Sequence, residues 1–169
     1  MRVITLGPSQ SNHAWVLQQH KPQAEPLLVS DFDQGFAALL AQQAEHLLIC
    51  TAHPDYARLV GQYQRLLTPI EAFVAASQPL SLCERQDCTR RQVDVMPATR
   101  FYADLSAYAQ VNDQWPGVAQ VGEALVQGQI EAGIVFSHLL SSHAEVLREV
   151  RPLGAPVDVW ALIARSEQS

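Results

Sequence analysis

The sequence predicts an α/β fold arranged as a two-lobed clamshell with mostly parallel sheets, and two features of the chain lead to this expectation. Strand patterns and helix patterns alternate along most of the 169 residues, which is the order typical of α/β folds. Two irregular stretches, 77–92 and 151–156, bracket the middle of the chain, so we expect the chain to cross to a second lobe and return. Lobe 1 is then predicted to comprise residues 1–80 plus 151–169, and lobe 2 to be an insertion of residues 81–150.

Apolar periodicity and capping residues predict the elements of lobe 1. The segment Thr68-Pro69-Ile70-Glu71 has the form of a capping box with proline at the first helical position, and it predicts a short helix through Ala76. The other helices are expected over residues 12–19, after a cap at Ser30, Asp31 or Asp33, and after Pro54. Strands are expected over residues 3–6, 27–29, 47–50 and 157–164.

The elements of lobe 2 are predicted in the same way. A charged turn over residues 85–91 and a loop over residues 111–117 separate stretches that show apolar periodicity. Strands are expected over residues 80–84, 93–95 and 130–136, and helices over residues 99–110, 118–126 and 139–150.

Composition argues against several classes of function. The formal net charge is −6 and no basic stripe is present, so we expect no nucleic-acid partner. No apolar run approaches the roughly 18 residues that a membrane span needs, and the first residues lack the features of a secretory signal, so we expect a cytoplasmic protein without a membrane partner. The cysteines and histidines lack metal-ligand spacing, so we expect no metal site.

The loop after the first predicted strand is the first candidate binding element. Gly7-Pro8 allows a sharp exit from the strand, and Ser9, Ser11 and Asn12 follow at the start of the first helix. Hydroxyl, amide and free backbone N–H groups at a helix start suit a carboxylate or a phosphate. The alternative is that Ser11 or Asn12 only caps the helix.

Polar residues also follow three other predicted strands. Thr51 and His53 follow the third strand, Thr99 and Arg100 follow the strand at 93–95, and Ser137 follows the strand at 130–136, with His138 next to it. Each has a local alternative, as a helix cap, an exposed charge or a loop residue before proline. Because ligands of open α/β sheets bind beyond the carboxyl ends of strands, their shared position predicts a binding cleft.

Five stretches of the chain together resemble one known family. The segment Leu6-Gly7-Pro8-Ser9-Gln10-Ser11 partly matches a Gly-Pro-x-Gly-Thr-type loop after a first strand. Later helices and strands of the family look like SDFDQGFAALLAQQAEHLLICTAHP, DVMPATRFYADL, QVGEALVQGQIEAGIVF and PVDVWALIAR. Over nearly its whole length the chain therefore resembles the catalytic domain of prephenate dehydratases and the related bacilysin-pathway prephenate decarboxylases.

The resemblance has implications for fold, activity and assembly. It implies the type II periplasmic-binding-protein-like fold, chemistry that needs no cofactor, and a homodimer, since the family is often dimeric. The regulatory domain that usually follows in dehydratases has no counterpart in this sequence, so we expect none.

The last predicted strand departs from the family pattern. Dehydratases carry a Thr-Arg-Phe motif there, whose threonine is implicated in catalysis, and Asp158-Val159-Trp160 stands at this position here. The Thr99-Arg100-Phe101 of this chain lies in predicted lobe 2 and is not equivalent. The bacilysin-type decarboxylases also lack the motif, so the departure argues against simple dehydratase activity.

The candidate proton-transfer residues are Asp158 and His53. Asp158 alternates with valines on the closing strand and is expected to face the cleft, the alternative being a solvent-facing side chain. His53 takes the family's polar strand-end position, and an imidazole can transfer protons near neutral pH. His13 stands where the family often has a small hydroxyl residue, and is a candidate ligand contact.

These observations predict a lyase or isomerase of prephenate-dehydratase type in specialised-metabolite biosynthesis. Its partner is expected to be a small-molecule ring carboxylate. The residues expected to hold it are Ser9, Ser11, Asn12, His13, Thr51, Thr99, Arg100 and Ser137. One alternative is a non-catalytic domain that binds or senses a small acid. Another is a dehydratase-like enzyme acting on a ring acid or thioester from aromatic degradation, in a tropone-type pathway.

Overall fold

The computed structural model describes residues 1–166. Two compact units make up the chain: the first comprises Met1–Ser77 and the segment from Pro156 onward, and the second comprises Gln78–Ala155. Each unit contains a five-stranded sheet with helices packed against it, which confirms the predicted α/β class.

The first unit follows the alternation of strands and helices that the sequence predicts. The elements are β1 (Arg2–Leu6), α1 (Asn12–His20), β2 (Glu25–Val29), α2 (Phe32–Leu40), β3 (His46–Cys50), α3 (Pro54–Tyr63), β4 (Leu67–Ala76) and β10 (Val157–Arg165). The strand order in its sheet is β2-β1-β3-β10-β4.

The elements of the second unit are β5 (Leu80–Arg85), β6 (Gln92–Asp94), β7 (Gln110–Asn112), α4 (Val118–Val126), β8 (Ala132–Phe136), α5 (His138–Ser142) and β9 (Leu147–Gly154). A 3₁₀ turn at Pro97–Thr99 follows β6. The strand order in the sheet is β7-β6-β8-β5-β9.

Apolar side chains cover both faces of each sheet. In β3, Leu47 and Ile49 pack against the helices α2 and α3, whereas Leu48 and Cys50 pack on the α1 side with Trp160. This alternation explains why β3 is apolar throughout. In the second unit, Leu82 and Cys83 of β5 likewise belong to cores on opposite faces.

Both sheets are mixed, which corrects the expectation of mostly parallel pairing. β1 pairs parallel with β2 and β3, and β6 pairs parallel with β7 and β8. β10 pairs antiparallel with β3 and β4, and β5 pairs antiparallel with β8 and β9. The chain enters β5 and β10 from the other unit, so no crossover helix imposes parallel pairing on them.

The predicted helix at residues 68–76 is instead the strand β4. Glu71 does not close a capping box, because its carboxylate accepts hydrogen bonds from Lys21 Nζ at 2.7 and 2.9 Å. Backbone pairing with β10 runs along the whole of β4, interrupted by one register shift. Pairing with a distant strand therefore outweighs the local helix signal.

Two helices predicted in the second unit are also wrong. The 3₁₀ turn ends at Thr99 and irregular chain follows up to β7, and Tyr108 from this stretch donates a hydrogen bond to the buried carboxylate of Glu84. The helix predicted at 139–150 ends at Ser142, and β9 follows, including residues 151–154 that were predicted as a turn. β9 supplies backbone partners for the buried strand β5, which could not be left unpaired.

Among residues 1–166, no helix has the length and apolar character needed to cross a bilayer.

Candidate functional site

Polar side chains gather at one edge of the sheet in the first unit. The parallel strands β1 and β3 end there, at Leu6 and Cys50. β10 runs the opposite way, with Trp160 opposite Cys50, so the amino end of β10 lies at the same edge. This is the edge at which open α/β sheets bind ligands.

Ser11 holds the start of α1. Its Oγ accepts a hydrogen bond from the N–H of Ala14 at 3.1 Å and donates one to the carbonyl of Leu6 at 2.7 Å. The hydroxyl therefore caps the helix, which is the role that the alternative to ligand binding gives to Ser11. Ser9 is exposed in the preceding turn.

A chain of hydrogen bonds joins α1, β4 and β10. Asn12 Nδ2 donates to Ser77 Oγ at 2.8 Å, and Ser77 Oγ donates to Asp158 Oδ2 at 2.8 Å. Asp158 is partly buried, whereas its neighbours Val157 and Val159 are 66% and 44% exposed. Asp158 therefore shares the α1 side of the sheet with Trp160, and its carboxylate is held in place beside the start of α1.

His13 is surrounded by aromatic rings. Its ring centroid lies 5.3 Å from that of Phe32, 5.9 Å from that of His53 and 5.0 Å from that of Trp160. Nε2 accepts the N–H of Cys50 at 3.4 Å, so the proton of the neutral ring is on Nδ1. Burial, and after it the nearby His53, lowers the pKa of His13 to about 3. His13 is therefore a neutral imidazole with one N–H to donate.

His53 forms the N-cap of α3. Its Nδ1 accepts the N–H of Asp55 at 3.2 Å, so Nε2 carries the proton of the neutral ring. Burial lowers the pKa of His53, and the carboxylate of Asp55 only partly opposes this. Its ring packs edge-on against Phe32 with the centroids 4.8 Å apart. His53 thus presents a second neutral N–H donor.

Thr51 links the end of β3 to β10. Both its N–H and its hydroxyl donate to the carbonyl of Val159, at 2.9 and 3.1 Å. The hydroxyl proton is therefore used in the structure, and the lone pairs of the oxygen are what Thr51 can offer a ligand.

Two residues of this edge were not found by sequence reasoning. Cys50 is the last residue of β3. Its N–H donates a hydrogen bond to His13 Nε2, and the negative charge of Asp158 acts on its thiol. Burial raises the pKa of Cys50, and the charge of Asp158 raises it further. Hydrogen bonds from the backbone N–H groups of Ala52 and His53 partly oppose this rise. Ser77 precedes the crossing to the second unit, and no local pattern marks it as the partner of Asp158.

The remaining predicted site residues belong to the second unit. Thr99 is 2% exposed and its hydroxyl donates to the carbonyl of Met96 at 2.9 Å, so it closes a 3₁₀ turn rather than beginning a helix. Arg100 lies with Nε 3.7 Å from Asp113 Oδ2 and its guanidinium 5.8 Å from the centre of the Phe101 ring. Ser137 lies with Oγ 2.7 Å from Oγ of Ser81.

The described residues contain no group of three or more His, Cys, Asp or Glu side chains arranged to hold a metal ion. What the edge of the first unit offers instead is a carboxylate, two neutral imidazole N–H donors and an amide. Such a set can take up or release one proton and can stabilise negative charge on an oxygen.

The fold is shared with several solved structures. Prephenate dehydratase from Arthrobacter aurescens, in complex with L-Phe, matches 99% of this chain and 61% of its own, with a TM-score of 0.73 and 15% identity. GqqA, described as a novel type of quorum-quenching acylase, matches 100% of this chain and 65% of its own, with a TM-score of 0.65 and 13% identity. The periplasmic VFT2 domain of Bordetella pertussis BvgS matches 98% of this chain and 80% of its own, with a TM-score of 0.54 and 15% identity.

No protein-family profile and no curated protein sequence matches the chain. The chain spans 61% and 65% of the dehydratase and acylase chains. At identities of 13–15%, the likenesses show the fold alone. The chain has a prephenate-dehydratase-like, type II periplasmic-binding-protein-like fold, which occurs in enzymes and in binding domains.

Proposed function

We propose that the protein is a cofactor-independent lyase or isomerase that acts on a non-aromatic ring carboxylate such as prephenate, in specialised metabolism. One observation carries the proposal: the Asp158 carboxylate, held by Ser77, lies at the same sheet edge as two neutral imidazoles in a prephenate-dehydratase-like fold. A carboxylate that only faced solvent would need neither Ser77 nor Asn12 to hold it.

Each side chain has a defined part in such a reaction. Loss of carbon dioxide breaks the bond between the ring and its carboxyl carbon and leaves the electron pair in the ring. In one outcome a ring hydroxyl group gains a proton and leaves as water, and the electron pair forms a new double bond in the ring. In the other outcome the electron pair binds the proton at a ring carbon. Asp158 takes the proton from solvent and passes it on, because its carboxylate is held by Ser77 at this edge and is not paired with a cation in the described contacts.

The imidazoles and the start of α1 bind and orient the substrate. Nδ1–H of His13 and Nε2–H of His53 donate to the oxygens on which charge develops. The N–H groups at the start of α1 suit the substrate carboxylate, because the helix dipole favours negative charge there. Since both imidazoles are neutral, they act as hydrogen-bond donors rather than as acids.

A second candidate is a domain that binds a small acid without reaction. It is favoured by the structural use of Ser11, Thr51 and His53, each of which caps a helix or holds a strand. The BvgS VFT2 domain has the same fold. In this candidate, Asp158 and the imidazoles would contribute to affinity and not to turnover.

Turnover of prephenate separates the two candidates. The protein is mixed with prephenate, ultraviolet absorbance and evolved carbon dioxide are followed, and binding is measured by calorimetry. Asp158→Asn keeps an oxygen for Ser77 but removes the charge, and His53→Asn keeps a side chain that caps α3 but removes the imidazole. We expect Asp158→Asn to lower kcat by about 10²–10⁴-fold, the range usual for a group that transfers a proton. We expect His53→Asn to lower kcat by about 10²–10³-fold, the range usual for the loss of one donor to a developing negative charge.

His20→Gln and Glu123→Gln serve as matched controls, because both side chains are exposed and lie outside this edge. Binding without turnover would establish the small-acid-binding domain and overturn the lyase. Absence of both binding and turnover would show that prephenate is the wrong substrate.

A further inference from the structure

A cavity in the second unit lies away from the sheet edge at which open α/β sheets bind ligands. Its volume is about 350 Å³, at the lower end of the range for small-molecule sites. Gln92 begins β6 and Glu131 directly precedes β8, so the cavity lies at the amino ends of these parallel strands rather than at their carboxyl ends. The charged and amide side chains that line it are Arg85, Asp87, Gln92, Asp94, Gln129 and Glu131.

Asp94 is a buried carboxylate in the wall of this cavity, and only 1% of the residue is exposed. Its Oδ1 accepts hydrogen bonds from Asn112 Nδ2 at 2.7 Å, Trp115 Nε1 at 2.8 Å and Gln92 Nε2 at 3.0 Å. Its Oδ2 accepts only from Gln92 Nε2, at 3.0 Å. These donors are neutral, and the ion pairs of residues 1–166 include no cation for Asp94. A buried negative charge therefore lacks a counter-charge, which is costly, and Oδ2 keeps an unused lone pair.

The arginine of the cavity does not supply this counter-charge. Arg85 Nε lies 3.2 Å from Asp87 Oδ1, and Nη1 donates to the carbonyl of Leu125 at 3.1 Å, near the carboxyl end of α4. The guanidinium is thus held by an aspartate and by the negative end of a helix dipole. Glu131 adds a third carboxylate, whose four hydrogen bonds come from N–H and hydroxyl groups of residues 89–92. Three carboxylates share the cavity with one guanidinium, so its walls carry excess negative charge.

We propose that this cavity binds a small organic cation through an ammonium group. The ammonium group donates to Asp94 Oδ2 and supplies the positive charge that the buried carboxylate lacks. Two amide oxygens are further acceptors, because Gln92 and Gln129 use their Nε2 atoms in hydrogen bonds and their Oε1 atoms have no donor among the described residues. The site goes beyond the proposed function and does not depend on it, since no residue of the first unit takes part.

The structural alternative is that Asp94 only ties β7 and the Trp115 loop to β6. Its bonds to Asn112 and Trp115 serve that purpose. An uncharged acceptor would serve it as well, without the cost of a buried charge. This alternative predicts no preference for cations at the cavity.

The test is an NMR titration of the ¹⁵N-labelled full chain, at constant ionic strength, with three probes of equal chain length. Butylammonium is a cation, n-butanol is neutral and butyrate is an anion. The readout is the indole N–H resonance of Trp115, which bonds to Asp94 and is assigned with Trp115→Phe. We expect butylammonium to shift this resonance at concentrations at least about tenfold lower than either other probe, because it alone donates a charge-assisted hydrogen bond. The indole resonance of Trp160, in the first unit, should not move.

Two substitutions test the charge and the space separately. Asp94→Asn removes the charge and should abolish the preference for butylammonium over n-butanol. Gln129→Lys brings a tethered ammonium group to the cavity and should weaken butylammonium binding at least about tenfold. Gln127→Lys is the matched control: it makes the same change of charge at an exposed position that does not line the cavity, and it should bind like the wild type.

Contrary results overturn the proposal. It fails if the three probes act at equal concentrations, if butyrate acts at the lowest concentration, or if no probe shifts the Trp115 resonance at tens of millimolar. It also fails if Gln129→Lys and Gln127→Lys bind butylammonium equally well, a comparison that stays decisive if Asp94→Asn does not fold.

Discussion

His13 and His53 show, at the scale of single residues, how surroundings decide the chemistry of a side chain. An imidazole in water titrates near neutral pH and can transfer protons. In this chain, burial among aromatic rings lowers the pKa of both histidines. Each ring also accepts a backbone N–H through one nitrogen, which leaves the other as a donor. The sequence predicts that His53 belongs to a site, but its neutral donor role depends on packing.

The titration of His13 is a direct test of this environment. We expect its ring protons, followed by NMR, to titrate near the pKa of about 3 rather than near the ordinary value of 6.5. Between these two pH values the unfolded chain binds a proton at His13 and the folded chain does not. The free energy of unfolding therefore falls as the pH is lowered from 6.5 towards 3.

The variant His13→Gln should therefore show a smaller fall in the free energy of unfolding over the same window, measured by urea denaturation. A wild-type His13 signal that titrates near 6.5 would contradict the account of its burial.

At the scale of elements, Glu131 decides the path of the connection between β5 and β6. Its Oε2 accepts the N–H and the hydroxyl of Thr89 at 2.7 and 2.8 Å. Its Oε1 accepts the N–H of Arg91 at 2.6 Å and that of Gln92 at 3.2 Å. Burial raises the pKa of Glu131, but these donors outweigh it and hold the pKa below its usual range.

Removing this carboxylate should free the connection. In Glu131→Ala we expect the amides of Thr89, Arg91 and Gln92 to exchange with solvent about tenfold faster or more, because each loses a hydrogen bond to a charged acceptor. Glu123→Ala, an exposed site on α4, is the matched control for hydrogen exchange. Unchanged protection of the three amides in Glu131→Ala would contradict this role.

The local signals of the sequence predicted some elements and missed others for a physical reason. The spans of α1, α4 and β3 follow from capping and apolar periodicity, which depend on residues close in sequence. β4 was predicted as a helix because its first residues have the form of a capping box, and the start of β9 because its apolar residues fit a helical spacing. Their partners β10 and β5 decide their structure, and no local pattern specifies such pairing.

At the scale of the whole molecule, each unit has its own sheet and its own cores. In the second unit a fully buried carboxylate, Glu84, joins three parts of the chain. Its Oε1 accepts from Arg90 and Tyr108, and its Oε2 accepts from Arg148 of β9. Burial raises the pKa of Glu84, and these three donors bring it below its ordinary value. Stability from Glu84 is therefore lost as the pH falls through its lowered pKa.

Substituting Glu84 tests whether the units lose stability separately. Glu84→Gln keeps the shape but removes the charge that the two arginines bind, and we expect it to cost about 1–3 kcal/mol. Native-state hydrogen exchange should show this loss in the amides of β5 and β9. The amides of β1 and β3 should keep wild-type protection. An equal loss in both sheets would show that the two units unfold as one.

The sequence by itself determined the α/β class, most elements of the first unit and the strand-end positions of the polar residues. These follow from apolar periodicity and helix capping, which depend only on residues close together in the sequence. Only the tertiary structure decided that Asp158 meets Ser77, 81 residues away, and that Ser77 meets Asn12, 65 residues away. Contacts at such separations arise from strand pairing and packing, and these depend on the whole chain rather than on any local pattern.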